Sequence, residues 1–242
     1  MKISSQKNQY ILKKLQTFTL FQSIDFAILE TMIPNFHYET CEKDRHPINS
    51  TATKDYFYIV ISGRIKISRI DIHTGKELTL FLLASGDVFD IVCLLDGQHH
   101  DVLTTALDTV EVVYIPNEII LQWLDLHPEF NRSIYPYMGQ QMRYLENLAT
   151  NMTFHDTITR LSRLILHYAK AYEESVEYKV KLINDLSHEE LANMIGTVRS
   201  VVSRHLSLLH KEKSLETSRK EIIIKDCQKL LKHAKKSQDC LK

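Results

Sequence analysis

The chain has 242 residues, 44% of them apolar and 25% charged, with 30 Lys+Arg against 30 Asp+Glu. That is ordinary composition for a folded protein, and the length allows two modest domains with separate cores. No apolar run approaches the roughly 20 residues of a membrane span, and Met-Lys-Ile-Ser-Ser-Gln-Lys at the start leads into no signal-peptide core, so a cytoplasmic protein with no membrane partner is expected.

Net neutrality conceals an asymmetry. Residues 1 to 154 hold 13 Lys+Arg and 18 Asp+Glu, whereas 155 to 242 hold 17 and 12. The C-terminal part is therefore basic enough to meet phosphates, and the N-terminal part is not. Four cysteines, Cys41, Cys93, Cys227 and Cys240, show no metal-binding spacing, so reduced structural thiols and no metal site are expected.

Residues 8 to 33 read as helical, with Ile11, Leu12 and Leu15 on one face. After a Leu-Phe-Gln-Ser break, Phe26, Ile28, Leu29 and Ile33 form another face, which Pro34 ends. From Phe36 to Ile115 the pattern changes to short β-rich runs: Tyr56 to Ser62, Arg64 to Ile70, Glu77 to Leu83, Val88 to Leu94, Val102 to Ala106 and Val110 to Ile115. Hairpin signals at Ser62-Gly63 and Thr74-Gly75-Lys76, with Ser85-Gly86-Asp87 ahead of another strand, favour an antiparallel sandwich or barrel.

A short helix over 117 to 126 and a long one from about Pro128 to Met152 follow, with a turn at His127-Pro128. In the long helix Ile134, Met138, Gln141, Leu145, Leu148 and Met152 recur at alternating spacings of four and three, the seam of a coiled coil. Packing on its own domain is the alternative, and Pro136 and Gly139 weaken the helix interior. Asn151 to His155 reads as a hinge. Beyond it lie a helix with Ile158, Leu161, Leu164, Ile165 and Tyr168 on its inner face and a β-prone run from Val176 to Leu182.

Ser187 with Glu190 three residues on has the form of a capping box, so a helix starts there. Leu191, Met194 and Ile195 make its apolar stripe, and Gly196 supplies the turn. A second helix opens at about Val198, burying Val201, Val202, Leu206 and Leu209. Its other face carries Arg199, Ser200, Ser203, Arg204 and Ser207, donors suited to base edges and phosphates in a major groove. A helical hairpin with a solvated basic face would have the same spacing. Leu215 to Thr217 and Ile222 to Lys225 then form a hairpin with Ser218-Arg219-Lys220 at its tip, and the tail from Cys227 starts helix-like and ends polar.

Leu-Ala-x-x-Ile-Gly-x-x-Arg-x-x-Val-Ser-Arg-x-Leu, from Leu191 to Leu206, resembles the helix-turn-helix signature of the Crp/Fnr superfamily of bacterial transcription regulators. Phe57 to Ile67, Gly86-Asp87-Val88-Phe89 and Leu94-Leu95-Asp96-Gly97 are similar to the cyclic-nucleotide-binding β-roll of the same superfamily. The resemblance implies an α+β fold: an N-terminal antiparallel, jelly-roll-like β-roll sensor domain over 1–127, a dimerisation helix over 128–153 and a winged helix-turn-helix over 154–242. It implies a homodimer on palindromic double-stranded DNA, with Ile134, Met138, Gln141, Leu145, Leu148 and Met152 at the interface and RNA polymerase as a candidate partner.

The expected DNA-contacting set is Arg199, Ser200, Ser203 and Arg204, with Thr197, Ser187 and His188. The matching arginines of relatives read guanines. Many relatives carry a glutamate directly after the first arginine, where this chain has Ser200, so a distinct operator is expected. Ser214 stands where relatives commonly have glycine.

The pocket departs further. Cyclic-nucleotide-binding members hold the ribose with a Gly-Glu pair and the phosphate with an Arg-Ser pair, and the matching positions here are Asp90-Ile91 and His100-Asp101. Isoleucine accepts no ribose hydrogen bond and an aspartate repels a phosphate, so cAMP is not expected to bind. Some relatives sense oxygen through an iron-sulfur cluster on N-terminal cysteines, but this chain has none before Cys41. Others use haem, which makes His37, His46, His73, His99 and His100 candidate ligands, although His99-His100 in a loop could equally be solvent-exposed.

The rival reading is a small-molecule or haem-binding β-roll module that acts only through protein contacts. An enzyme is not expected, because no nucleophile elbow, phosphate loop or metal-ligand spacing is present, and Glu173-Glu174 and Glu189-Glu190 read as solvated pairs.

Overall fold

The computed structural model describes residues 5–48, 54–171, 178–218 and 221–235. The chain opens with α1 (Ser5–Thr17) and α2 (Phe26–Met32), the latter capped by the Asp25 carboxylate, which accepts from the Ala27 amide at 2.8 Å. Pro34 lies in the single 3-10 turn that follows, since it cannot donate a helical hydrogen bond. Next come β1 (His37–Cys41), β2 (Tyr56–Ser62), β3 (Ile65–Ile70), β4 (Glu77–Leu83), β5 (Val88–Phe89), α3 (Ile91–Asp96), β6 (Leu103–Ala106) and β7 (Val110–Pro116). Helices α4 (Asn117–Leu126), α5 (Pro128–Phe154) and α6 (Thr157–His167) lead to β8 (Ala169–Ala171) and β9 (Tyr178–Val180). The end is α7 (His188–Met194), α8 (Arg199–Lys211), β10 (Leu215–Thr217), β11 (Ile222–Ile224) and α9 (Cys227–Lys235).

Two compact units result, Met1–Ile70 with Leu80–Tyr144 and Asp71–Thr79 with Leu145–Lys242, so the division falls inside α5. The first unit is the roll, two antiparallel sheets ordered β1-β7-β2-β5 and β4-β3-β6. Strand β2 is buried on both faces, which is why Phe57 to Ile61 is an unbroken apolar run and not an alternating one. Phe57, Ile59 and Ile61 pack with Ile11, Leu15, Leu29 and Phe130 on the helices, whereas Tyr58 and Val60 pack with Ile65, Ile67 and Val112 between the sheets. Gly63 turns β2 into β3 at φ +83°, where an added Cβ would lie 2.6 Å from the Thr109 carbonyl.

Helix α1 is fastened to the roll through Glu111. Its carboxylate accepts from Lys7 Nζ at 3.1 Å, Tyr10 at 2.8 Å and Ser62 at 2.9 Å, and also from Tyr38. Burial pushes the Glu111 carboxyl up, but the hydrogen bonds from Tyr38, Tyr10, Ser62 and Lys7 outweigh it and hold the group at about 2.

The second unit is α6 to α9 around the sheet β10-β11-β9-β8. Ile158, Leu161 and Ile165 of α6 are buried with Leu191, Val202, Leu206, Leu209, Ile224 and Leu230. The tail contributes to this core, because α9 is tied to α6 by Thr159 Oγ1 on the His233 carbonyl at 3.1 Å and Arg163 Nε on the Ala234 carbonyl at 2.8 Å.

Several expectations change. The run Val88 to Leu94 is a strand only at Val88–Phe89 and then a helix, Ile91–Asp96. Phe26 is 47% exposed and does not share the buried face of Leu29 and Ile33. The expected hinge over Asn151 to His155 is mostly helix, since α5 continues to Phe154. Beside the wing, the left-handed residue is Lys213, φ +57°, while its neighbour Ser214 is buried. Glu173, Glu174, Arg219, Lys220 and Cys240 lie outside the described residues, and the other three cysteines are free thiols.

Candidate nucleic-acid interface and sensor pocket

The hairpin α7–α8 is built from reciprocal caps and a crowded glycine. Ser187 Oγ accepts from the Glu190 amide at 3.1 Å, and the Ser187 amide donates to Glu190 Oε2 at 2.6 Å, which satisfies two donors that the helix start would otherwise orphan. The Ser187 hydroxyl, expected at the DNA, thus accepts as a cap and keeps its own proton to donate, and Glu189 is exposed beside it. Leu191, Met194 and Ile195 are buried as the spacing predicts. Gly196 then takes φ +62°, and a Cβ there would sit 2.8 Å from Met152 Sδ. The Thr197 amide closes the turn on the Ala192 carbonyl at 3.0 Å.

Two side chains of α6 fix this turn and the helix after it. Arg160 Nη1 donates to the Ile195 carbonyl at 2.7 Å and lies 3.0 Å from Met152 Sδ, while Thr157 Oγ1 and His205 Nε2 are 2.7 Å apart. Burial, with the Arg204 charge beside it, holds His205 below the usual histidine range, so its ring is neutral near pH 7.

On α8, Val202, Leu206 and Leu209 are buried and Val201 is half-buried. Arg199, Ser200 and Arg204 are exposed, Ser203 is half-buried, and the helix carries no carboxylate. Neither Arg199 nor Arg204 hydrogen-bonds or ion-pairs with another described residue. Ser207 is exposed, but its hydroxyl donates to the Ser203 carbonyl of the preceding turn at 2.9 Å. No side chain caps the α8 N-terminus at Val198. His188 and Thr197 are half-buried at the edge of the hairpin.

In the roll, the four pocket positions do not point at a common ligand. Asp90 is 6% exposed and accepts from His100 Nδ1 at 2.8 Å and from Cys93 Sγ at 3.1 Å. Burial pushes the Asp90 carboxyl up, but His100 and Cys93 outweigh it and leave it below the usual carboxylate range. Ile91 is buried, and Asp101 is exposed with its carbonyl accepting from Arg69 Nε at 2.9 Å. The loop therefore closes on itself through the contact of His100 with Asp90.

The histidines considered for haem are dispersed. His46 Nδ1 is 2.6 Å from the Thr104 carbonyl, His100 pairs with Asp90, His37 stacks on Tyr114 with centroids 5.0 Å apart, His73 lies in the β3–β4 turn and His99 is exposed.

On α5, Ile134 is buried in the roll and Met138 packs against the same core. Gln141, Leu148 and Met152 are half-buried, whereas Leu145 is 40% and its neighbour Met142 69% exposed. Arg160, Thr157, His205 and Glu111 escaped the sequence reading. Each acts on a partner far along the chain, and no local spacing records such a contact.

Residues 159–233 match the family model of the Crp-like helix-turn-helix domain, and residues 40–127 match that of the cyclic nucleotide-binding domain. The chain is 23% identical over 181 residues, 75% of its length and 80% of the relative's, to the CRP-like cAMP-activated global transcriptional regulator of Mycobacterium tuberculosis. It is 25% identical over 188 residues, 77% of its length and 84% of the relative's, to the global nitrogen regulator of a Nostoc species. Its fold is similar to that of a CooA mutant from Carboxydothermus hydrogenoformans, with TM-score 0.70 and 22% identity over 83% of this chain and 88% of that one.

Proposed function

Because the chain belongs to the Crp/Fnr family of transcription regulators, we propose that it works as a homodimer whose two α8 helices read a palindromic DNA site, without a cyclic nucleotide and under a signal received at the roll. The observation that carries this reading is the exposed face of α8, where Arg199 and Arg204 have no hydrogen-bond or ion-pair partner among the described residues and the helix itself carries no carboxylate to oppose a phosphate. The uncapped start of the same helix leaves amide donors for the DNA backbone. Arg204 and Arg199 read guanines, Ser203 adds a base or phosphate bond, and Ser200, in place of a carboxylate, sets the operator apart from those of relatives.

Dimerisation uses the half of α5 that the roll leaves uncovered, with Met142, Leu145 and Phe154, at 69, 40 and 72% exposure, as apolar contacts and Gln141 and Leu148 beside them. Ile134 is buried in its own unit and the half-buried Met138 packs against the same core, so both shape the interface chiefly by holding the helix in place. Independence from cAMP is supported by Ile91, which offers no acceptor to a ribose, by Asp101, which repels a phosphate, and by His100, which pairs with Asp90 where a phosphate would need a forked cation.

The test is fluorescence anisotropy on an operator selected from random DNA, titrated with salt. Several neutralised phosphates give a steep fall in affinity as salt rises, with a slope of about −0.9 per phosphate contact. A flat response and no selected site would favour a roll module that acts through protein contacts. Sedimentation of Leu145→Asp against the unaltered chain tests the dimer, and cAMP added to the operator titration tests independence, since no change in affinity is expected.

A further inference from the structure

Beside the Ser85-Gly86-Asp87 turn the roll unit has a cleft of about 300 Å³, lined by the segment after α1, by the turn and by one stretch of α5. That volume is at the small end of pockets that hold organic ligands. Phe18, Leu20 and Pro136 give it apolar sides, and Asp87 and Tyr137 give it a polar floor. The Asp87 carboxylate accepts from the Ala84 amide at 2.8 Å and from the Tyr137 hydroxyl. Burial nonetheless pushes the Asp87 carboxyl above its ordinary range, so these two donors leave its charge incompletely compensated. No lysine or arginine is among the residues lining the cleft. An anion would be repelled there, whereas a small cation with an apolar body would find both a counter-ion and a dry wall.

The α5 side of the cleft is the weakest stretch of that helix. Pro136 lacks the amide that a helix interior needs, and Gly139 has open space where a side chain would pack. Tyr137, between them, lies 3.2 Å from the Val88 amide and 3.3 Å from its carbonyl, and it also hydrogen-bonds Asp87 and Gln141. A ligand that grips Pro136, Tyr137 and Gln140 would therefore tighten the turn of α5 that presents Gln141.

We propose that this cleft is the effector site, that it takes a small organic ammonium ion with Asp87 as counter-ion, and that Tyr137 passes its occupancy to Gln141. The effector role rests on the regulator reading above, but the binding does not. Calorimetric titration of the full chain with benzylammonium, benzyl alcohol and benzoate tests it, together with hydrogen exchange of the amides from 137 to 141. Benzylammonium is expected to bind roughly tenfold or more tightly than benzyl alcohol, to leave benzoate without measurable binding and to slow exchange at those amides. Asp87→Asn should bring benzylammonium down to the level of benzyl alcohol. Because Asp87 also holds its turn, Thr19→Trp is the second variant: it fills the exposed rim, keeps the carboxylate and should abolish binding without moving the unfolding transition.

Equal binding of the three probes, no binding at millimolar concentration, or binding that survives Thr19→Trp overturns the proposal. Operator binding by the ligand-free protein is scored separately. Its absence alongside intact benzylammonium binding removes the regulator reading and the effector role with it, and a cleft that binds nothing beside a protein that still binds its operator removes the site alone.

Discussion

The roll and the recognition helix treat their charges in opposite ways. In the roll, ionic groups are turned toward one another: Asp90 to His100, Arg64 to Asp108 through two hydrogen bonds of 2.6 Å, and Glu111 to its four donors. On α8, Arg199 and Arg204 are exposed and have no ion pair with another described residue. The difference teaches how to separate scaffold from instrument. A charge satisfied inside its own fold contributes to stability and says little about a ligand, whereas an exposed arginine that the fold does not use is available to a partner.

The contrast would break most completely at Gly196, since the α8 face exists only while the turn before it holds. Gly196→Val forces a β-branched residue into a left-handed conformation with its Cβ 2.8 Å from Met152 Sδ. A loss of about 3 kcal/mol, read as a lower urea midpoint, is expected. Arg204→Ala acts on function alone: it should weaken operator binding by about 1 to 3 kcal/mol and relax specificity at one base pair per half-site, with unfolding unchanged. Unaltered operator affinity would remove Arg204 from the readout.

Glu111 tests the other side of the comparison. Its pKa is about 2 when folded against an ordinary 4.5, so its stabilisation is complete above pH 4.5 and disappears as pH falls toward 2. Glu111→Gln should cost on the order of 1 to 2 kcal/mol at pH 7 and nearly nothing at pH 2, measured by denaturant unfolding at each pH. The smallest effect is expected from Ser187→Ala, about 1 kcal/mol through the lost cap. That loss should appear in hydrogen exchange of the first α7 turn, with operator specificity intact.

Much of this was legible in the sequence where the signal is local. The capping box at Ser187, the glycine turn, the bounds of β2 and β4 and the short helix α4 all follow from spacing and turn chemistry. Errors came where local patterns are ambiguous. Ile91 to Leu95 is an apolar run too short for periodicity to separate strand from helix, and β1, His-Tyr-Glu-Thr-Cys, is a polar edge strand with no alternation to reveal it. On α5 one spacing serves two environments, since Ile134 and Met138 pack in the roll core while Leu145 is exposed. The pairing of Asp90 with His100 and the hold of Arg160 on Ile195 were out of reach, since each needs the chain to return on itself.

Strand β7 lies between β1 and β2 in the first sheet, with His37 opposite Tyr114 and Phe57 opposite Ile115. The central strand is thus the last of that sheet to be made. As the chain leaves the ribosome, β1 must wait without a ladder, and β2 with only the two-residue β5 beside it, until Val110–Pro116 emerges and closes a long loop. The winged unit also closes late, since Thr159 and Arg163 of α6 meet their partners only when His233 and Ala234 of α9 have been made. Nascent chains that stop short of β7 should therefore depend on chaperones and resist no protease, while those that extend past the first half of α5, which supplies Phe130 and Ile134 to the core, acquire a protected roll before the winged unit has been synthesised.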